Sequence, residues 1–421
     1  VIRSSPDLEC EILVIGAGPS GSALAGLLGR RGRDVLVVDR ASFPRPKACG
    51  ECLNPGGVAA LDRLDLHDVV METEPVSLGG WLLHTPAGTR ARADFPGGRF
   101  GLGVERLSFD RVLLDAARAQ GARVIESLRI TEVDPGTRAL PARAVGVTRD
   151  GEQVRIAARI LVGADGLRSV VARGIGAVRR KPRLRKASLS WRIRGEGPSR
   201  TRGRLLLGGD LTVGLAPVPE GPDGDGVPRW NASLVVDSAA HGAEISQDPW
   251  SLLLEGIGLM DLSWGSGPEV VEGPWASGPF DWPSRMAVVG RTLLVGDAAG
   301  YYDPLTGQGL YRALRSAELA SHSILRALTS GPGELRAYDR SLRRSLGPGR
   351  RLQRAIEATL ARSGLREIGI GALALSPRIA SLVVSATGDL WSRGERRTAG
   401  SGNRHRVAGS RMPDKPSLGG S

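Results

Sequence analysis

Short continuous apolar runs punctuate the chain. EILVI at 11–15 and VLVV at Val35–Val38 have the length and β-branched content of strands buried on both faces. An apolar stretch at 22–29 between them reads as a buried helix. Pro55–Leu64 is predicted helical, and 76–100 reads as strands broken by Gly and Pro turns. SFDRVLLDAARAQ at 108–120 has apolar residues three and four apart behind Ser108, which predicts a Ser-capped amphipathic helix. A strand is expected at Arg123–Ile125, and another that ends in LVGAD at 161–165. LSWRIRG, LLLGG and ASLVVD follow as strands, with a helix over WSLLLEGIGLM near 250. A buried strand is predicted at 287–295 and a mainly helical body at 310–386. Pro377 and Arg378 break that body's last apolar run and argue against a membrane span. GIGALAL just before them can pack as a terminal helix or touch a hydrophobic surface.

With 421 residues and 41% hydrophobic content, the chain exceeds one ordinary core, and two or three domains are expected. The formal charge of +13 points towards polyanions, but its distribution weakens that reading. From Arg393 onward there are seven Lys or Arg against two Asp or Glu, in a Gly- and Ser-rich tail expected to be disordered. The basic run at 179–186 reads as a solvated interdomain loop, with a phosphate or carboxylate headgroup as the alternative partner. No zinc-finger spacing or aromatic–basic interleaving accompanies it, so no specific nucleic-acid partner is expected. Cys10, Cys49 and Cys52 do not make a disulfide scaffold. The five histidines are scattered without HExxH or HxH spacing, so no metal site is expected. No secretory signal segment is recognised, and a cytoplasmic location is the expectation, with peripheral membrane contact as a further option.

The chemistry begins at Gly16-Ala17-Gly18-Pro19-Ser20-Gly21, which joins the first strand to the first helix. A GxGxxG string alone is weak, but strand, turn, helix, second strand and acid together make a dinucleotide fingerprint. Gly16 allows the tight turn, Gly18 lets backbone approach a pyrophosphate at the helix N-terminus, and Gly21 allows close packing. Asp39 ends the second strand and can accept adenosine ribose hydroxyls, with Arg40 beside it. Two further segments suggest a larger, bent cofactor. One is Gly163-Ala164-Asp165-Gly166. The other is Gly296-Asp297-Ala298-Ala299-Gly300 followed by Asp303-Pro304-Leu305-Thr306-Gly307-Gln308-Gly309. Pro304 sets a turn, and Gly307 and Gly309 permit close backbone approach to a ring.

These three segments resemble the flavoprotein superfamily of aromatic hydroxylases, geranylgeranyl reductases and flavin-dependent halogenases, over most of 9–330. The resemblance implies FAD held noncovalently by the opening glycine turn. It implies Asp297 on the ribityl chain, Asp165 in the DG segment that shapes the pocket, and Arg106 as a cofactor-contacting arginine. Gln308 belongs to the matching TGQG segment. Reduced NADP or NAD, or an electron-donor protein, would supply electrons. PRPKACGE at 44–51 is similar to the PR-x-K-x-CG segment of the geranylgeranyl reductase-like subgroup, in which the residue matching Cys49 lies near the active flavin. Gly300 stands where aromatic hydroxylases commonly carry histidine, and the halogenase WxWxIP signature is absent.

The expected architecture is α/β: a Rossmann-like FAD-binding fold of the aromatic hydroxylase type, an additional mixed α+β substrate layer and a helical C-terminal region. The FAD-binding domain is assigned to 9–75, 101–175 and 286–330. The substrate domain takes 76–100 and 176–285, the helical region 331–390 and the basic tail 391–421. Trp191, Trp230, Trp275, Phe280 and Trp282 are the expected walls of an apolar tunnel. The expected reaction is reduction of carbon–carbon double bonds in a hydrophobic isoprenoid or polyene. FAD-dependent monooxygenation and a noncatalytic flavin-binding role are the alternatives. Cys49 is the candidate catalytic residue, with a site-shaping or proton-transfer role, a redox pair with Cys52 in the CxxC spacing, and simple packing as its readings.

Overall fold

A computed structural model describes residues 5–388 apart from 179–181, 183, 222–225, 261, 263, 265–266 and 282–285. Parts of the basic run, Trp282 and the tail from 389 onward therefore lie outside the described residues.

The first strand, Leu8–Ile15, occupies the centre of an eight-stranded sheet. It pairs in parallel with Gln153–Gly163 on one side and Val35–Val38 on the other, so Val14 lies between Val162 and Val37. Arg123–Ile125 and Thr292–Leu294 extend the parallel core outwards. Alternation divides the central strand between two cores: Ile12 and Val14 face one, Leu13 and Ile15 the other. Both faces are covered, which is why these segments read as unbroken apolar runs.

Pro19–Gly29 follows the glycine turn and is buried along most of its length. It packs between Arg106–Ala119 and the long helix Gly309–Ser330. The helix expected at 108–120 starts two residues earlier, at Arg106, after Glu105. Ser108 does not cap it; its hydroxyl donates to Glu105 Oε2 at 2.8 Å. The strand expected at 287–295 is instead a tight antiparallel hairpin, Val288–Val289 with Thr292–Leu294, turning at Gly290 with φ +58°. A continuous apolar run hides such a turn, because both arms are partly or fully buried.

A seven-stranded sheet forms the second layer, in the order Glu269–Ser277, Lys186–Arg194, Arg229–Asp237, Leu211–Val218, Gly203–Leu207, Gly80–His84, Arg90–Asp94. Its pairings are antiparallel except that between Gly203–Leu207 and Gly80–His84. Pro249–Gly258 covers one face through Leu252, Leu253 and Ile257. Trp191 and Trp230 point to that covered face and are buried there. They are core residues, a correction to the expectation that they line a tunnel. Strand parity decides it, because a one-residue change in register swaps the faces. Trp275 does not line the cavity either, whereas Phe280 does.

A small third sheet, Cys52–Leu53, Gly101–Gly103 and Val76–Leu78, bridges the two layers. The C-terminal helices Ser363–Leu375 and Pro377–Thr387 pack against the edge strand Arg90–Asp94 and cover it. Among the described residues no single helix is long and apolar enough to cross a membrane.

Candidate functional site

The two large sheets enclose a cavity of about 700 Å³. Gly16, Gly18, Asp39, Arg40, Cys49, Arg106, Asp165, Asp297, Pro304, Gly307 and Gly309 all line it. Residues separated along the chain therefore share one space because the parallel sheet brings its glycine turns to one edge. Gly21, Gly296 and Gln308 are not among the lining residues.

The glycine turn leaves no room for side chains at Gly16 and Gly21. Gly16 has φ +107°, and a Cβ there would approach Ala164 O to 2.4 Å. At Gly21 a Cβ would come within 1.8 Å of Gly16 O, so Gly21 sets how closely helix and turn approach. The helix start at Gly18 has no side-chain cap, and Arg45 lies beside Gly18. Uncapped N–H groups and a neighbouring guanidinium suit a diphosphate. Asp39 Oδ2 accepts the Ala17 N–H at 2.7 Å, and Oδ1 accepts that of Ala41 at 2.9 Å. It therefore braces the turn as well as facing the cavity.

Asp165 is engaged locally. It accepts the Ser169 hydroxyl at 2.5 Å and the N–H groups of Val170 and Val171 at 2.6 and 3.2 Å. Burial raises its pKa despite these bonds. Asp297 sits in the one-turn helix Gly296–Ala299. Burial raises its pKa too, opposed by Lys47, Arg312 and Arg106. Lys47 lines the cavity nearby; burial and then Arg106 lower its pKa, while Asp297 supports its charge. The Pro304–Gly307 turn closes through Gly307 N–H to Pro304 O at 3.1 Å, with Gly307 at φ +63°. Gln308 is buried and accepts the Thr306 hydroxyl at 3.2 Å, while Gly296 donates its N–H to Ser316 Oγ at 2.8 Å.

Arg106 is buried and bidentate to Asp110, with both bonds at 2.7 Å. Burial opposes its charge, but Asp110 and Cys49 hold its pKa above the ordinary arginine value. Cys49 lies beside Arg106, and its carbonyl accepts from Asn231 Nδ2 at 2.9 Å. Its sulfur accepts the Glu51 N–H at 3.3 Å. Cys10, Cys49 and Cys52 are all free.

Sequence reasoning missed an ionic network behind this loop. Glu51 has φ +53°, and its Oε1 accepts the Arg106 N–H at 2.8 Å. Its Oε2 lies 2.8 Å from Arg192 Nη1, and Arg192 Nη2 lies 3.4 Å from Glu105. Burial raises the Glu51 pKa, against the pull of Arg192. Arg192 lies on the substrate sheet, and no local spacing could have joined it to Glu51. Trp81 and Tyr301 were missed as lining residues for the same reason.

The cavity wall on the second sheet is small and neutral. Ser188, Leu205, Thr212, Gly214, Ala216, Ser233 and Val235 form it, with Trp81 and Phe280 at its margins.

Residues 9–193 match an FAD binding domain family model. A digeranylgeranylglycerophospholipid reductase of Methanothrix thermoacetophila is 28% identical over 350 residues, covering 81% of this chain and 84% of that protein. A menaquinone reductase of Mycobacterium tuberculosis is 30% identical over 347 residues, covering 76% and 78%. The fold matches a solved flavoprotein/dehydrogenase from Cytophaga hutchinsonii with a TM-score of 0.78 at 18% identity, covering 93% and 95%. The glycine turn with its uncapped helix start, the FAD binding domain match and the relatives that span three quarters or more of the chain converge. The chain belongs to an FAD-binding oxidoreductase family that includes these menaquinone and digeranylgeranylglycerophospholipid reductase relatives.

Proposed function

We propose that this protein reduces carbon–carbon double bonds in a hydrophobic isoprenoid or polyene chain. The observation that carries this reading is the neutral, small-residue wall opposite the glycine turns. None of Ser188, Leu205, Thr212, Gly214, Ala216, Ser233 and Val235 is charged, so the wall suits an apolar chain and offers no ionic partner for a small acid. The names of the two reductase relatives agree with such a substrate.

The residues present fit FAD. Gly16, Gly18 and the start of Pro19–Gly29, with Arg45, would hold its diphosphate; Asp39 and Arg40 would face the adenosine end. Asp297 would meet the ribityl chain, with Pro304, Gly307 and Gly309 beside the ring. When bound, FAD supplies hydride chemistry, with reduced NADP or NAD as the expected donor. Arg106 puts a cation beside Cys49, and Asn231 fixes the Cys49 backbone. Cys49 on the cavity wall is then the residue held to orient the alkene or deliver a proton. Glu51 and Arg192 tie this loop to the substrate wall.

The test is an anaerobic single turnover with the flavin reduced beforehand and polyprenyl lipids or quinones as substrates. Products carrying two added hydrogens per reduced bond support the proposal. Oxygen incorporation under air, with every double bond retained anaerobically, identifies a monooxygenase instead.

A further inference from the structure

The last two described helices carry apolar surface that faces outward. On Ser363–Leu375 the exposed apolar side chains are Leu365, Ile368 and Leu375, and on Pro377–Thr387 they are Ile379 and Leu382. Ile368 is 71% exposed and Leu375 89%. At helical periodicity these positions form one stripe on each helix, opposite the buried Ile370, Ala380 and Val384. Other exposed large apolar residues among the described ones, such as Met71, Leu140 and Val270, are dispersed along the chain. Scattered residues need no explanation, whereas a concentrated stripe does.

Its charge is one-sided. Arg362, Arg366 and Arg378 are the cations of 361–388, and Glu367 is the lone acid. Glu367 Oε2 is turned inward, accepting the hydroxyls of Thr85 and Thr89 at 2.7 Å each. Arg362 and Arg378 stay exposed beside the apolar stripe. The sequence beyond 388 adds further cations and has no sustained apolar period with which to cover the stripe. The two helices offer a symmetric second copy no acid other than the engaged Glu367 with which to pair Arg362 and Arg378.

Length decides how such a surface meets lipid. The helices have 13 and 11 residues and meet at a bend of 112°. At about 1.5 Å per residue neither reaches across a hydrocarbon core of about 30 Å. A bent pair with an apolar stripe and flanking arginines can lie within the headgroup boundary. Its buried face adjoins the cavity. Ala380 and Val384 pack with Phe95 and Trp81, and Trp81 lines both the large cavity and a narrow slot that ends at Thr387 and Gly388.

We propose that the helices Ser363–Leu375 and Pro377–Thr387 dock this enzyme on the surface of an anionic lipid bilayer. Leu365, Ile368, Leu375, Ile379 and Leu382 enter the acyl boundary while Arg362 and Arg378 meet the headgroups. This surface is independent of the reaction assigned to the cavity, so failure of the reductase assay leaves the docking test unaffected.

Flotation of the full-length holoenzyme with vesicles tests it, comparing phosphatidylcholine alone with phosphatidylcholine containing phosphatidylglycerol. The wild type should bind the anionic vesicles at least about tenfold more tightly, and less so as salt rises. Ile368→Asp/Leu375→Asp should weaken that binding by at least about tenfold, since each removes an apolar anchor. Arg362→Glu/Arg378→Glu should abolish the preference for phosphatidylglycerol. Flavin content and melting should stay at wild-type values in both variants, because all four positions are exposed. Absence of wild-type binding to anionic vesicles overturns the proposal. So does undiminished flotation of Ile368→Asp/Leu375→Asp, or retained lipid preference in the arginine variant. A stable dimer in light scattering that Ile368→Asp/Leu375→Asp dissociates also overturns it, assigning the stripe to a second copy.

Discussion

Replacing Arg106 with Met should cost the fold more than any other single change at the cavity. The side chain is buried, and Asp110 beneath it is fully buried. Met keeps the aliphatic bulk but removes two 2.7 Å bonds to Asp110 and the cation beside Cys49. The backbone N–H of residue 106 still reaches Glu51, so that contact is conserved. Asp110 retains Arg45 at 3.5 Å, a weaker partner that is partly open to solvent. Breaking a buried pair costs about 3–5 kcal/mol because the remaining charge is stranded. The residual Arg45 contact reduces this to about 2–4 kcal/mol. Asp110→Leu alone strands Arg106 and should cost a comparable amount. The double variant Arg106→Met/Asp110→Leu removes both members of the pair and leaves only the partly exposed Arg45 without Asp110, so it should recover about 2 kcal/mol or more relative to the sum of the single changes. Urea unfolding of the cofactor-free protein is the assay, since bound FAD would add its own stabilisation. Additive losses within about 0.5 kcal/mol would refute the reasoning, as would a single-variant loss below about 1 kcal/mol.

Asp297→Ala should weaken FAD binding by about 10- to 100-fold, the worth of a charged hydrogen bond, read by titration of the apoprotein. At matched flavin occupancy, Cys49→Ala should slow single-turnover alkene reduction more than Cys52→Ala; equal, near-wild-type rates would remove the special role of Cys49. In the folded apoprotein iodoacetamide should modify Cys49 first, because burial pushes the Cys10 thiol up to about 12 and raises that of Cys52 as well. Peptide mass mapping with equal labelling of all three would contradict this. Lys186 lies between Asp303, at 3.4 Å, and Glu357. Burial opposes its charge, but the two acids hold its pKa above the ordinary lysine value. A lysine raised in this way contributes stability fully below its unfolded value of about 10.4, and that contribution is lost as pH rises through the folded value. The stability advantage of wild type over Lys186→Met should therefore shrink only at alkaline pH above about 10, as followed by urea midpoints.

Local order was legible in the residues. Val35–Val38, Pro55–Leu64 and Arg123–Ile125 have the predicted bounds, because each is a short segment whose composition and flanking residues agree. The glycine turn was readable for a related reason: strand, turn and helix adjoin along the chain, and the contact that excludes a Cβ at Gly21 is with Gly16 O, five residues away. The FAD-binding family followed from such segments. Their gathering around one cavity also followed in outline, since glycine turns at the same ends of parallel strands share an edge.

What the segments could not contain was parity and pairing across distance. Trp191 and Trp230 face Pro249–Gly258, while Ser188, Gly214 and Ser233 face the cavity, and only the assembled register decides between those faces. Glu51 meets Arg192 because the small bridging sheet holds the cysteine loop against the substrate sheet. The C-terminal apolar runs likewise left burial and exposure equally open. Packing against Arg90–Asp94 buries Ile370, Ala380 and Val384 and leaves Ile368 and Leu375 outside, because an edge strand can cover only one side of each helix.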